Sequence, residues 1–177
     1  MRNALMHKAV MALITVSLGL AAASAGAQGA GSRQSREFVQ AAASSDQFEI
    51  LEAETALTQS VNPEVRAFAT RMLQDHQQLG QAVRDAAVRS GLKPPEMAMS
   101  ADEAQLLSAL QGVSGSEFDK LYFKQQSLAH RSALAVEQIY AKSGDDAGLR
   151  QLATSAVPLI AAHGDMASRM EAKLGSQ

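Results

Sequence analysis

The sequence contains no cysteine, and this absence excludes several kinds of stabilisation and chemistry. No disulfide cross-links the chain, no lipid-modified cysteine anchors it, and no thiol carries redox chemistry. Compartments that favour disulfides do not require them. A mature chain of about 150 residues can bury a hydrophobic core unaided. We therefore expect a fold held together by packing and hydrogen bonds.

The chain also lacks a basic cluster. Its 177 residues include 16 basic and 18 acidic side chains. Arg2 and Lys8 lie in a segment that we expect to be removed, which leaves 14 basic residues and a net charge near −4. The electrostatic footprint of a nucleic-acid-binding protein is missing. We expect no nucleic-acid partner, while the sequence leaves the protein partner and the oligomeric state open.

Long apolar runs are absent except for one near the N-terminus. Arg2 and Lys8 precede an apolar run over residues 9–20, and Ala25-Gly26-Ala27 follows it. This order of charge, apolar segment and small residues predicts a signal peptide over 1–27. The run is shorter than the roughly 20 residues of a spanning helix, which argues against a membrane anchor. We expect an exported, soluble, periplasmic protein, or a secreted one if the organism has no outer membrane, without a stable membrane anchor after cleavage.

Helix-breaking residues divide the rest of the chain into four long segments and one short one. We expect a flexible N-terminus over 28–34 and one helical domain over 35–174. Asn62-Pro63-Glu64 combines an N-cap residue, a proline and an acid in the first turn, and Ser35, Ser100 and Ser116 are the other predicted caps. The predicted helices run from about residue 36 to 60, 63 to 90, 101 to 111, 117 to 142 and 146 to 173.

The hydrophobic pattern of these segments predicts an all-α protein. Apolar residues recur at steps of three and four, and no segment alternates as a strand does. The fold class is a four-helix bundle with a short extra helix in the connector between helices two and three. That connector, Gly91 to Gly115, reaches roughly 60 Å at most, which exceeds the bundle length of about 40 Å. A crossover, as in ferritin-like bundles, and an up-down return are both compatible with it. Pro158 predicts a kink in the last helix.

Three histidines remain after the signal peptide, and each lies on a different long helix. His76, His130 and His163 lie near the middle of helices two, three and four. Glu49 lies near the middle of helix one, and Glu52 follows one turn later. Since antiparallel helices bring their midpoints to one level, these residues fall within roughly 5 Å of a common height. We predict that they meet inside the bundle.

Three imidazoles and one carboxylate suit one divalent transition metal, such as Zn, Cu, Fe or Mn. The predicted ligands are Glu49, His76, His130 and His163. The alternative is a polar core without an ion, in which every histidine has a hydrogen-bond partner.

Four further polar residues lie near these positions in the sequence. Glu52 and Gln126 are secondary candidates for the metal site. Asp75, beside His76, is expected to be exposed or to support a ligand. Gln126 and Glu137 fit the interior by spacing, but the favoured interpretation places both on the outer flank of their helix.

Several motifs occur in a fixed order between Phe38 and Met170. They are Phe38-Val39 with Ala42-Ala43, Phe48-Glu49-Ile50, Val65 to His76 (VRAFATRMLQDH), Phe118-Asp119 with Tyr122, His130 after Gln126, and Pro158 with His163. Through them the chain resembles a bacterial family named domain of unknown function 4142, of the ferritin-like superfamily. The resemblance implies a ferritin-like fold, and it places Glu49, His76, His130 and His163 on the family's marked polar positions.

The chain departs from ferritin itself at the residues that precede its histidines. Di-iron bundles carry a glutamate three residues before a histidine, whereas this chain has Leu73, Ser127 and Ile160 there. We therefore expect a metal-binding or stress-related protein and no fast catalyst. A structural or protein-interaction module is the first alternative. A mononuclear-metal oxidoreductase, which needs an open coordination position and a pocket, is the second.

Overall fold

The computed structural model describes residues 31–176, and within this range it contains five α-helices and no strand. The helices are α1 (Arg33–Gln59), α2 (Pro63–Arg89), α3 (Ala101–Gln111), α4 (Gly115–Ser143) and α5 (Ala147–Gly175). The all-α prediction is confirmed for these residues, and α3 is the short helix predicted in the connector. The predicted signal peptide over 1–27 lies outside the described residues, as do residues 28–30 of the predicted flexible segment.

The start of α1 differs from the prediction by three residues. Ser32 caps the helix, because its Oγ accepts a hydrogen bond of 2.9 Å from the backbone N–H of Ser35. Ser35 itself is buried, and its Oγ lies 2.8 Å from the hydroxyl of Tyr140 and donates to Asp145 over 2.7 Å. The hydroxyl predicted to cap α1 therefore links this helix to the end of α4 and the turn after it.

The remaining helix starts follow the local sequence to different degrees. Asn62 and Ser100 cap α2 and α3 as predicted, and the Ser100-to-Glu103 capping box is complete. Helix α4 begins at Gly115, and its N-cap residue is Ser114, not the predicted Ser116. Helix α5 is continuous through Pro158, and the kink predicted there stays a prediction.

The four long helices pack in a ring, in which α1 contacts α2 and α4, and α5 contacts α4 and α2. One apolar cluster joins the end of α1, the start of α2, the start of α4 and the end of α5. The other joins the start of α1, the end of α2, the end of α4 and the start of α5. Helices α1 and α5 therefore run in one direction and α2 and α4 in the other.

This arrangement settles the path of the long connector. Helix α2 ends and α4 begins at opposite ends of the ring, so the connector crosses its full length. Helix α3 lies on this crossing segment and packs against α1 and α4. Within residues 31–176, no helix is both long enough and apolar enough to cross a membrane.

Candidate metal centre

The side chains of His76, His130 and His163 meet between the two apolar clusters. One ring nitrogen of each lies within 4.8 Å of the corresponding nitrogens of the other two. The ring centroids are 5.4 to 5.6 Å apart. The three residues are 2, 1 and 0 % exposed. The convergence predicted from their positions along α2, α4 and α5 is confirmed.

Close approach of α5 to α4 helps to bring these rings together. Gly164 follows His163 on α5, and a Cβ atom there would lie only 3.3 Å from the Cβ of His130. That distance is tighter than most side-chain contacts, so an alanine would require His130 to give way by a few tenths of an ångström. The small residue therefore permits the close approach of the two helices at the level of the centre.

Each histidine uses one ring nitrogen to contact an acceptor outside the cluster. His76 Nδ1 lies 2.8 Å from Oδ1 of Asp46, and His163 Nε2 lies 2.8 Å from Oδ2 of Asp75. His130 Nδ1 lies 2.9 Å from the backbone carbonyl oxygen of Gln126. A carboxylate or carbonyl oxygen can only accept here, so the contacting nitrogen of each ring carries the hydrogen. In the neutral ring the opposite nitrogen then holds a lone pair.

Those opposite nitrogens have no partner within the described residues. They are Nε2 of His76, Nε2 of His130 and Nδ1 of His163, and all three are buried. Buried polar atoms in folded proteins nearly always have a hydrogen-bond partner. Because the other nitrogen of each ring is already engaged, these three are the atoms free to bind a common ligand.

The pKa values of two of these rings, His163 and His76, are shifted in opposite directions. Burial, together with the neighbouring His76 and His130, lowers the pKa of His163 to about 4, against the opposing effect of Asp75. Burial also lowers the pKa of His76, but the hydrogen bond with Asp46 and the charge of Glu49 outweigh it, so the net pKa is raised. His163 is therefore neutral at neutral pH, whereas protons compete for Nε2 of His76 as the pH falls.

Glu49, Glu52 and Gln126 form a second buried group beside the histidines. The amide Nε2 of Gln126 donates to Oε2 of Glu49 over 2.6 Å and to Oε2 of Glu52 over 2.8 Å. Burial, together with the charge of Glu49, raises the pKa of Glu52 well above its usual value. Oε1 of Glu49 lies 3.6 Å from Nδ1 of His130, the nitrogen that faces Gln126. The mutually close ligand atoms come from the three histidines, and Glu49 lies beside His130.

Two residues predicted on the outer flank of α4 are buried instead. Gln126 is 0 % exposed and Glu137 is 6 % exposed. Burial and the charge of Asp46 raise the pKa of Glu137 to about 8. The prediction was wrong because α4 is apolar over a wide arc, so its hydrophobic pattern does not define a single inward face.

One member of the site was missed by the sequence reasoning, and one was only partly anticipated. Asp46 lies one turn before Glu49 on α1, and this spacing is the signal that would have found it. Asp75 was expected to be exposed or to support a ligand, and its Oδ2 contacts the candidate ligand His163. Its side chain remains 24 % exposed while it bonds to His163.

Comparisons with known proteins agree with the resemblance seen in the sequence. The crystal structure of a DUF305 fragment from Deinococcus radiodurans is similar, with a TM-score of 0.69 and 17% sequence identity over 84% of this chain and 99% of that chain. This likeness concerns the fold alone. No curated protein matches the chain. The model of the family described as "Domain of unknown function (DUF4142)" matches residues 20–170. The chain therefore belongs to the DUF4142 family.

Proposed function

We propose that this protein is an exported, ferritin-like four-helix bundle that binds one divalent transition metal through His76, His130 and His163. The observation that carries the proposal is a set of three buried ring nitrogens, on three helices, that have no partner among residues 31–176. The ferritin-like assignment is supported by the one long crossing connector, which is typical of these bundles.

The outward contacts of the rings favour metal binding over a purely structural core. Histidines that bind metals usually donate their other N–H to a carboxylate or a backbone carbonyl, which fixes the tautomer and the ring orientation. Here Asp46, Asp75 and the carbonyl of Gln126 make those contacts. A structural core would leave three buried nitrogens unsatisfied, at a cost of about 1–3 kcal/mol each.

The ligand atoms favour particular metals. Three neutral imidazoles suit zinc, copper and iron, whereas manganese prefers more oxygen ligands. Glu49, Asp46 and Asp75 lie beside the rings, and their negative charges offset the charge of a divalent ion. Three histidines leave a fourth coordination position open on a zinc ion, which Glu49, water or a small ligand could fill.

Elemental analysis of the mature protein, purified without a histidine tag, tests this proposal. We expect about one zinc, copper or iron ion per chain, by the preference of imidazole ligands for these metals. A His76→Gln, His130→Gln double variant should contain none, and circular dichroism should show that it remains helical. The matched control is Gln105→Ala, Gln111→Ala, which changes two exposed positions of α3. A parent protein that is purified empty and binds none of zinc, copper, iron or manganese on titration would refute metal binding.

Export is proposed from the N-terminal sequence, since residues 1–30 lie outside the described residues. The support is the order of Arg2 and Lys8, the apolar run and Ala25-Gly26-Ala27. N-terminal sequencing of the protein from its native host should begin close to Gln28. A chain that retains its first residues and stays with the cytoplasmic fraction would contradict export.

A further inference from the structure

A groove of about 520 Å³ lies between α1, α3 and α4 and reaches His76. Its buried end is formed by Asp46, His76 and Glu137, and its outer end includes Asp102 and Glu103 at the start of α3. His76 belongs both to this groove and to the metal centre. The groove therefore connects the outside of the protein with one of the three proposed ligands.

The ionisable side chains along the groove, apart from His76, are all acidic. They are Asp46, Asp102, Glu103 and Glu137, and no lysine or arginine occurs among the described residues that line it. Most other lining residues are apolar or small, such as Phe48, Leu128 and Ile160. A cleft with charges of one sign and low-dielectric walls focuses the electric field and concentrates ions of the opposite sign. This groove is therefore suited to cations.

Glu137 differs from Asp46 and Glu103 because its side chain has no fixed partner among the described residues. Asp46 is held by His76, and Glu103 accepts a hydrogen bond of 2.7 Å from the backbone of Ser100 in the capping box. Oε2 of Glu137 is buried and has no hydrogen-bond partner within the described residues. An oxygen ligand is thus free at the inner end of the groove, two helical turns after His130 on the same helix.

We propose that this groove is the path by which the divalent ion reaches and leaves the three histidines, and that Glu137 holds the ion in transit. The inference rests on the proposed metal-binding function. An ion that sheds water in an apolar groove needs a replacement ligand, because burying an isolated charge is very costly. Glu137 supplies an oxygen ligand there when the arriving cation displaces its proton, which leaves to the solvent through the groove. The imidazole nitrogens then take over an ion for which they are the better donors.

A residue on the path affects rates in a characteristic way. It lowers the barrier between the free and the bound ion without being a ligand in the final state. Its removal should slow association and dissociation by the same factor and leave the dissociation constant almost unchanged. A ligand or a structural residue would behave differently, because its loss weakens binding itself.

Stopped-flow absorption with Co²⁺ as the probe tests this proposal, since Co²⁺ bound by histidines absorbs in the visible range. In Glu137→Gln we expect both rate constants to fall about tenfold, in the range of electrostatic effects on association. Glu137→Asp should recover part of the rate. Ala133→Phe, which fills the groove from a partly buried position, should slow both steps as well. The control is Glu54→Gln, which removes an exposed carboxylate of α1 outside the groove.

Each contrary outcome has a distinct meaning. Unchanged rates in either Glu137→Gln or Ala133→Phe would overturn the proposed path. A loss of affinity in Glu137→Gln caused only by faster dissociation would make Glu137 a ligand or a structural residue, and would also overturn it. Failure of the metal-binding function would appear in the parent protein itself, as absence of any Co²⁺ complex at equilibrium.

Discussion

Single residues around the three histidines decide how well the rings can serve as ligands. Asp46 and Asp75 are carboxylates that face N–H groups, whereas His130 faces a backbone carbonyl that no side-chain substitution can remove. The two carboxylates also increase the basicity of the rings they contact. Among the three acceptors that the rings contact, substitution of these two aspartates should therefore change the metal affinity most.

The first prediction concerns Asp46. Asp46→Asn keeps an oxygen that can accept from His76 but removes the charge, whereas Asp46→Ala removes both. Loss of such a supporting partner typically lowers metal affinity about 10- to 100-fold. We expect the larger loss in Asp46→Ala and a smaller one in Asp46→Asn, measured as the zinc dissociation constant by competition with a chelator. Asp85→Asn, on the exposed face of α2, is the control. Parent-like affinity in Asp46→Ala would show that the orientation of His76 does not matter for binding.

The second prediction concerns Glu137 and pH. The pKa of this carboxyl is raised from 4.5 to about 8, so between these values the folded protein holds a proton that the unfolded chain releases. Stability therefore falls as the pH rises through this window, by at most about 1.4 kcal/mol per pH unit from this group. His163 acts oppositely, because its lowered pKa makes the folded state lose stability as the pH falls below about 6.5 towards 4.

Glu137→Gln separates the two effects, because it removes only the first. We expect the variant to be more stable than the parent at pH 8 and much closer to it at pH 5. Urea unfolding at pH 5, 6, 7 and 8 measures the difference, with Glu54→Gln as the control for an exposed carboxylate. Parallel pH profiles for Glu137→Gln and the parent would contradict a buried, protonated Glu137.

At the scale of helices, local sequence signals predicted some helix starts, whereas tertiary contacts determined others. The starts of α2 and α3 were predicted because Asn62-Pro63 and the Ser100 capping box are strong local signals. The start of α1 was misplaced because Ser32 and Ser35 are equivalent in sequence, and the contact of Ser35 with Tyr140 is a tertiary one. No local rule distinguishes two nearby serines by what lies across the interior.

The third prediction tests the link that Ser35 makes between α1 and the turn after α4. Ser35→Ala removes its contacts with Tyr140 and Asp145, while Tyr140 keeps its own hydrogen bond of 3.1 Å to Asp145. We expect a loss of about 1 kcal/mol in the free energy of unfolding. Urea unfolding measures this loss. Ser108→Ala, the same change at an exposed position of α3, should be nearly neutral. Equal effects of the two substitutions would show that the link contributes nothing.

The same division holds for the centre itself. The common height of His76, His130 and His163 along the bundle could be predicted from helix lengths alone, since each lies near the middle of its helix. The roles of Asp46 and Glu137 did not follow, because they depend on how α1 and α4 are rotated about their axes. The crossing connector was also undetermined, since its length allows either path and only the packing of the helix ends selects one.

At the scale of the whole molecule, the centre separates two apolar clusters at opposite ends of the four long helices. The three histidines come from α2, α4 and α5, and α1 contributes Asp46 and Glu49 next to them. A bound ion would therefore join helices that are distant in sequence at the level where apolar packing is interrupted. Metal binding should consequently stabilise the entire fold and not one segment.

The fourth prediction follows from this coupling. A ligand that binds only the folded state at 100 times its dissociation constant adds about 2.7 kcal/mol to stability. For a domain of this size, that gain corresponds to a rise in melting temperature of about 5–10 °C. Calorimetry of the zinc-loaded protein against the chelator-treated protein measures the rise. The His76→Gln, His130→Gln variant should show none, because only one of the three ligands remains. An equal rise in that variant would place the zinc on surface carboxylates, since these are the groups that the variant retains in full.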